Sequence, residues 1–344
     1  MCQRGSGRIG DQADNGRHRN IARRQGDGVI GALIVIGGST ASGKSALALA
    51  LAERLGGVIV NADSQQLFAD LPILTARPSA ADEARAHHRL YGVLGPREQP
   101  SAGRWLELVA PVLEELRATG RAAILTGGTG LYLHALLRGI AAMPPVPAAL
   151  RERLRAESEG VPAALLHERL RAGDPVMAAR LEPGDRQRIL RALEILEATG
   201  RSLAYWQAQG RRERLELPPV LASIALVPPA ALVARRIETR FEAMLQAGVL
   251  DEVAALAERC PDAARQPIAK VHGLRELLAL REGRLEERTA RERINAQIRQ
   301  YAKRQRTWFR HQLPELRALE TVGEDPALAA ALLVQIAEAG AGQG

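Results

Sequence analysis

The 344-residue chain holds two cysteines, Cys2 and Cys260. Two thiols cannot build a disulfide framework or a zinc site, so a reducing, cytosolic setting is expected. Aromatic residues amount to 3%, and lysine occurs three times, as Lys44, Lys270 and Lys303, within a Lys plus Arg total of 47. An arginine excess of this kind follows genome base composition and says little about function. A lysine kept where arginine is the habit says more. No apolar run approaches the roughly 20 residues that a bilayer span needs. Residues 1–30 lack the apolar centre of a secretion signal and are expected to be a disordered polar extension.

What the chain does have is ample apolar material, 46% of its residues, enough for one large domain or two ordinary ones. The net charge of +8 is uneven: residues 281–310 carry ten basic groups against four acidic ones, and residues 311–344 carry one against five. A basic stretch suggests a polyanionic partner, although a solvated helix face is the commoner cause.

From Gly31 onward short apolar strands alternate with helices. "ALIVIGG" reads as a buried strand and "SALALALAERLGG" as a helix closed by Gly56–Gly57,. "VIVNADS", "RLYGVLG" and "AAILTGG" supply further strands, interleaved with the helices "GRWLELVAPVLEELRATG" and "GLYLHALLRG". Strands stop at "AAMPPVPAAL", only helical pattern follows to Ala208, and one strand, "LASIALV", returns at 221–227. Alternation of this kind implies a parallel sheet covered on both faces. The expected architecture is an α/β, P-loop NTPase-like parallel sheet flanked by helices, with an all-helical insertion domain. Its core comprises 31–142 and 220–325, the insertion 143–219, and a C-terminal helix or tail 326–344.

The strongest motif is Gly38–Ser45, which fits G-x-x-x-x-G-K-[ST] between a strand and a helix, the context in which that spacing counts. Gly38, Ser39, Thr40, Ala41, Ser42 and Gly43 form the loop. Its backbone N–H groups from Ser39 to Ser45 are expected to turn inward on phosphate oxygens, aided by the positive end of the helix. Lys44 would neutralise the terminal phosphates and Ser45 would hold Mg²⁺. Asp63 ends a strand at the edge where open α/β sheets bind ligands. It can accept a proton from an attacking OH or NH or simply cap a following helix.

Gly127, Gly128 and Gly130 let backbone approach a ligand beside the phosphate loop, with Thr129 at the mouth of the sheet. Arg236 and Arg240, at i,i+4, share a helix face and could clamp a diphosphate opposite Lys44, or be ordinary surface. Arg299, Lys303, Arg306 and Arg310 form one basic helical stripe, and Ile294, Ile298, Tyr301, Gln305 and Trp308 form the adjoining buried face. An Asp185-capped helix carries Arg188 and Arg191. Both basic faces suit a phosphate backbone or plain solvent.

Taken in order, these pieces resemble the tRNA dimethylallyltransferase, or tRNA isopentenyl-transfer, family. The resemblance runs from Ala32 to Arg310. It rests on G-x-T-A-S-G-K-S at 38–45, A-D-S-x-Q at 62–66, T-A-R-P at 75–78, H-H at 87–88 and G-G-T-G-L-Y at 127–132. D-R-Q-R-I-x-R-A-L-E at 185–194, R-I-x-x-R at 236–240 and A-K-R-Q-x-T-W-F-R at 302–310 complete it. It implies transfer of a dimethylallyl group from its diphosphate to the exocyclic N6 amine of the adenine on the 3′ side of the anticodon.

Under that resemblance Thr40, Lys44 and Ser45 hold diphosphate and Mg²⁺, Asp63 is the general base, and Thr129 and Arg240 stand at the reacting end. The anticodon stem-loop would be touched by Asp63, Ser64, Gln65 and Gln66, by Arg151, and by Gln187, Arg188, Ile189, Leu190 and Arg191. Lys270, Arg275, Lys303 and Arg304 would touch it too. The implied protein is a cytoplasmic monomer without membrane contact. Ser39, Gln65, Leu74, Gly184 and His272–Leu274 depart from the family's usual residues, and none of these departures removes a catalytic group. A P-loop kinase acting with ATP on a small molecule or nucleotide is the alternative enzyme, and a non-catalytic RNA-binding module the alternative outside enzymes.

Overall fold

The computed structural model describes residues 31–210 and 215–341, so the expected extension at 1–30 lies outside the described residues. The chain divides into two compact units, Met1–Ala135 with Glu216–Gly344, and Leu136–Leu215.

The first unit is built on six strands: β1 Leu33–Gly38, β2 Val58–Asn61, β3 His87–Arg89, β4 Ala123–Gly127, β5 Val220–Leu226 and β6 Arg317–Leu319. They lie in the order β3-β2-β4-β1-β5-β6, and every pairing is parallel. All residues of β1, β2 and β4 are buried, which is why these strands read as unbroken apolar runs rather than as alternation. One face is closed by helix Lys44–Leu55 and helix Pro326–Ala341. Leu47, Leu51, Leu332 and Ile336 pack there with Ile34, Ile36, Ile59 and Ile124. Helix Pro326–Ala341 thus packs its buried face, Leu332 and Ile336, into the core of this unit.

Two details differ from the sequence reading. The third strand is His87–Arg89, which meets the expected "RLYGVLG" only at Arg89: Leu90 turns to φ 64, and Gly92 and Leu94 donate to the carbonyls of Gln66 and Leu67 at 2.9 and 2.8 Å. That run thus leaves the sheet to pair with the chain after Asp63. Strand β6 was not expected at all. Three residues with two exposed side chains carry no periodicity, and only pairing with β5 through Ile224↔Arg317 and Leu226↔Leu319 defines them.

The second unit is helical: Ala148–Ser158, Ala163–Gly173, Pro175–Ala178, Arg186–Thr199 and Leu203–Ala208. Asp174 and Asp185 are N-caps, accepting from the amides of Met177 at 2.9 Å and Arg188 at 3.2 Å. The core gathers Leu166, Leu170, Met177, Ile189 and Leu193. Outside it, Arg153 and Arg169 each bridge Glu157 and Glu197 at 2.6–3.2 Å, a closed ring of four charges.

Candidate active site

The switch in sheet order falls at β1, whose neighbours β4 and β5 come later in the chain, and the phosphate loop leaves the sheet there. Gly38 has φ 143, and a Cβ on it would come within 2.4 Å of the Leu226 carbonyl oxygen, so only glycine fits,. Gly43 (φ 88) caps helix Lys44–Leu55, and Ala41 between them holds a left-handed φ of 58, a local strain of roughly 1 kcal/mol.

Not every loop amide turns inward as expected. The Ser39 amide donates to Leu226 O at 3.2 Å, and the Thr40 amide donates to Gln305 Oε1 at 2.8 Å. Both groups are committed to the protein. The Lys44 ammonium donates to Ser39 O at 2.6 Å, and Ser42, which lines the cradle, has a buried hydroxyl with no hydrogen-bond partner.

Asp63 stands across from this loop, just past the end of β2. No helix follows it before Ala80, so the helix-cap alternative fails. Its Oδ1 instead accepts from the Gln65 amide at 3.0 Å, closing an Asx turn,. Asn61 fixes the turn from behind. Its side chain donates to the carbonyls of Asp63 and Leu90, both at 3.0 Å, and accepts from the Asp63 amide at 2.8 Å. Trp105 Nε1 donates to Asn61 O at 2.8 Å and stacks on Tyr132 with ring centroids 4.9 Å apart.

The 127–130 loop meets the Asp63 loop at backbone range. A Cβ on Gly127 would lie 2.1 Å from the Ala62 backbone, and one on Gly128 would lie 3.1 Å from Asp63 Oδ2. Thr129 Oγ1 accepts from the Ser64 amide at 2.9 Å, so its hydroxyl holds the Asp63 loop. Gln305, only 5% exposed, accepts from the Thr40 amide and donates to Gly128 O at 2.8 Å. One side chain on helix Glu287–His311 thereby ties the phosphate loop to the glycine loop.

Two cavities meet over these residues and share Thr40, Asp63, Thr75 and Arg240. One is polar and lined by the phosphate loop with Arg235, Arg236 and Glu324. The other is lined by Leu74, Ile237, Phe241, Met244 and Ile298, with His272 and Tyr301 at its side. Glu252 shapes the apolar cavity, its carboxylate accepting from the amides of Ile73 at 2.6 Å and Leu74 at 2.9 Å.

Charge follows the geometry. Desolvation pushes the Lys44 ammonium down to about 8, against the pull of Asp63 and with the push of Arg240,. Burial and the Asp63 charge hold the Tyr301 phenol far above its ordinary range, so it stays a donor. Burial, then Arg304, lowers His272, which leaves its imidazole neutral at pH 7 despite Asp63,. Asp63 is the one anionic side chain lining the apolar cavity.

The two arginines of helix Ala230–Gln246 separate in role. Arg240 Nη1 approaches Thr40 Oγ1 at 3.5 Å. Arg236 donates to Ala41 O at 3.3 Å and pairs with Glu324, a partner 88 residues away that helix spacing cannot reveal. The basic stripe is likewise part-neutralised, Arg299 by Glu238 at 3.1 Å and Arg310 by Glu320.

Among the expected RNA contacts, Lys270, Arg275, Lys303, Arg304, Gln187 and Arg188 are exposed. Arg188 pairs with Asp185 at 3.3 Å, Arg191 with Glu194 at 3.1 Å, and Arg151 donates to Val146 O at 3.2 Å. Ile189 is fully buried, and Leu190 packs on the same helical core. The Ile189 side chain is spent on that core, and the Leu190 side chain is partly exposed at its edge. Gln65 is engaged inside the protein, accepting from the His272 amide at 3.1 Å.

Among the described residues no cluster of three or more His, Cys, Asp or Glu could cage a metal. The exposed Ser45 hydroxyl on the polar cavity nevertheless fits Mg²⁺, which takes few protein oxygens and completes its octahedron with water and substrate phosphate.

Fold and site together define a phosphate-loop α/β protein built for group transfer, its anion cradle opening onto a carboxylate and an apolar pocket. The IPP transferase family model matches residues 66–312. A tRNA dimethylallyltransferase of Methylobacterium sp. is 51% identical over 286 residues, covering 83% of this chain and 93% of the relative. One of Rhodopseudomonas palustris is 50% identical over 288 residues, with 83% and 88% covered. The chain belongs to the tRNA dimethylallyltransferase family. Among solved structures, the full-length tRNA isopentenylpyrophosphate transferase of Bacillus halodurans aligns at TM-score 0.63 and 26% identity, covering 91% of this chain and 99% of that one. A eukaryotic dimethylallyltransferase described as acting on tRNA aligns at TM-score 0.70 and 25% identity, covering 87% and 76%.

Proposed function

We propose that this protein transfers the dimethylallyl group of dimethylallyl diphosphate to the exocyclic N6 amine of the tRNA adenine 3′-adjacent to the anticodon, releasing diphosphate. The observation that carries the reading is the junction of the two cavities. A diphosphate seated on the loop, with a five-carbon apolar tail between Ile237, Phe241 and Met244, would bring its allylic carbon toward Arg240 and Asp63, which line both cavities.

The C–O bond to the departing diphosphate breaks, and its electron pair goes to the phosphate oxygen. The amine lone pair forms the new C–N bond, and the amine proton passes to Asp63. Charge growing on the leaving group meets Lys44, Arg240 and the loop amides that remain free. Mg²⁺, held by Ser45 and the diphosphate itself, would supply further neutralisation of the leaving group. Tyr301, kept as a phenol, and neutral His272 stand beside Asp63 as donor and ring surface for an extruded base. The exposed cations Lys270, Arg275, Lys303 and Arg304 are suited to the RNA backbone.

A kinase reading explains the loop but gives no reason for the apolar pocket at the reacting end, and the family membership does not favour it. A monomer working in the cytoplasm, where tRNA is the acceptor, completes the proposal. The test incubates the full chain with unmodified tRNA and dimethylallyl diphosphate carrying a labelled prenyl group, with Mg²⁺ and without ATP. Label entering the RNA supports transfer. Label staying in the small-molecule pool, with phosphate moved from ATP to a small acceptor, overturns it.

A further inference from the structure

Glu324 lies outside the segment matched by the family model, and no step of the transfer uses it. Yet it reaches the phosphate cradle. One carboxylate oxygen pairs with Arg236, and the other sits so close to the loop that a Cβ on Gly43 would come within 2.1 Å of it. Arginine on one side and the start of helix Lys44–Leu55 on the other are what a phosphate oxygen would seek there.

The backbone carrying Glu324 is held over the loop. Gly323 N donates to Ser42 O at 3.0 Å, and a Cβ on Gly323 would come within 2.2 Å of Gly43 O. On one side, Val227 N donates to Leu319 O in β6 at 2.9 Å. On the other, Asp325 opens helix Pro326–Ala341, accepting from the Ala327 amide at 3.0 Å. The side chain itself is 44% exposed, so it has room to swing off Arg236 without the backbone moving.

We propose that Glu324 is an internal competitor of the diphosphate: its carboxylate holds Arg236 and the Gly43 edge of the cradle, sets the affinity for diphosphate, and favours release of the diphosphate product. This rests on the function proposed above. A fixed anion beside a bound polyanion weakens binding, and an arginine already paired contributes its charge only after that pair opens. Release is thereby made easier without touching the groups around Asp63.

The test measures the Kd of inorganic diphosphate with Mg²⁺ by calorimetry on the full chain, for wild type, Glu324→Gln and Glu324→Ala. The amide keeps shape and hydrogen bonding but removes the charge; the alanine variant removes both, and it carries the test if the amide variant does not fold. Either variant should bind diphosphate about tenfold more tightly than wild type, a conservative Coulomb effect at this range, and show correspondingly stronger product inhibition by diphosphate. Unchanged or weaker binding in the folded variants overturns the proposal and would make Glu324 a structural clasp or a metal ligand. Wild type is the control for the underlying reading. If it neither binds diphosphate nor transfers the prenyl group, the proposed function fails; if it does both and the variants do not tighten, only the role of Glu324 fails.

Discussion

Replacing Gln305 with leucine removes one side chain and leaves two backbone groups without partners, the part-buried Thr40 N–H and the buried Gly128 C=O. Each such orphan costs about 1–3 kcal/mol. Leucine regains part of this through apolar burial at a site that is 5% exposed, so a net loss of about 3 kcal/mol is expected. In a chain of this size that lowers the thermal midpoint by several degrees. The functional effect follows from what the two bonds connect: without them the phosphate loop and the glycine loop are no longer held in register. The KM for dimethylallyl diphosphate should rise and the transfer rate fall together. Gln305→Glu should do no better, because its carboxylate can still accept from Thr40 but cannot donate to Gly128 O, and it adds a buried charge. Denaturant titration and steady-state kinetics on the folded variants decide the matter. A leucine variant losing less than about 0.5 kcal/mol with an unaltered KM would refute the bridging role.

Lys44 titrates at about 8 in the free protein, below its ordinary 10.5. The unfolded chain therefore binds the extra proton between those values, and this group makes the folded state gain stability as pH rises through that window. Competitive acylation of Lys44 against pH, read by mass spectrometry, should show a midpoint near 8 that moves upward when diphosphate is bound; a midpoint that stays put would contradict a phosphate contact. Asn61→Leu should cost about 3 kcal/mol by stranding its three partners and should slow transfer while leaving diphosphate affinity intact, since Asn61 touches the Asp63 turn and not the cradle. Loss of affinity in a folded variant would show that the two regions are not separable in this way.

Much of the arrangement was legible in the residues because it is local in sequence. Phosphate loop, Asp63, the glycine run and the Arg236/Arg240 pair each sit at the end of a strand or on one helix face, and alternation of strand and helix brings such ends to one edge. The cap at Asp185 was readable for the same reason. What escaped depends on partners far along the chain. The Thr40 amide is met from 265 residues away by Gln305, and Arg236 from 88 away by Glu324. For Gln305 a signal existed: a glutamine at the buried phase of an otherwise apolar helix face must satisfy both ends of its amide inside the protein. For Glu324 there was none, since an acid in a polar connection reads as surface. Strand β6 escaped because three residues are too few for a period of two to register.

The central claim is that Asp63 takes the proton of the attacking amine while the loop holds a departing diphosphate. Single-turnover transfer to tRNA by Asp63→Asn, with diphosphate affinity measured on the same preparation, tests it most directly. The rate should fall by about 10²–10⁴, and diphosphate should bind no more weakly than to wild type, because only a negative charge has been removed from beside the cradle. A rate within a few-fold of wild type would contradict the account, and so would a loss of transfer explained by lost diphosphate binding.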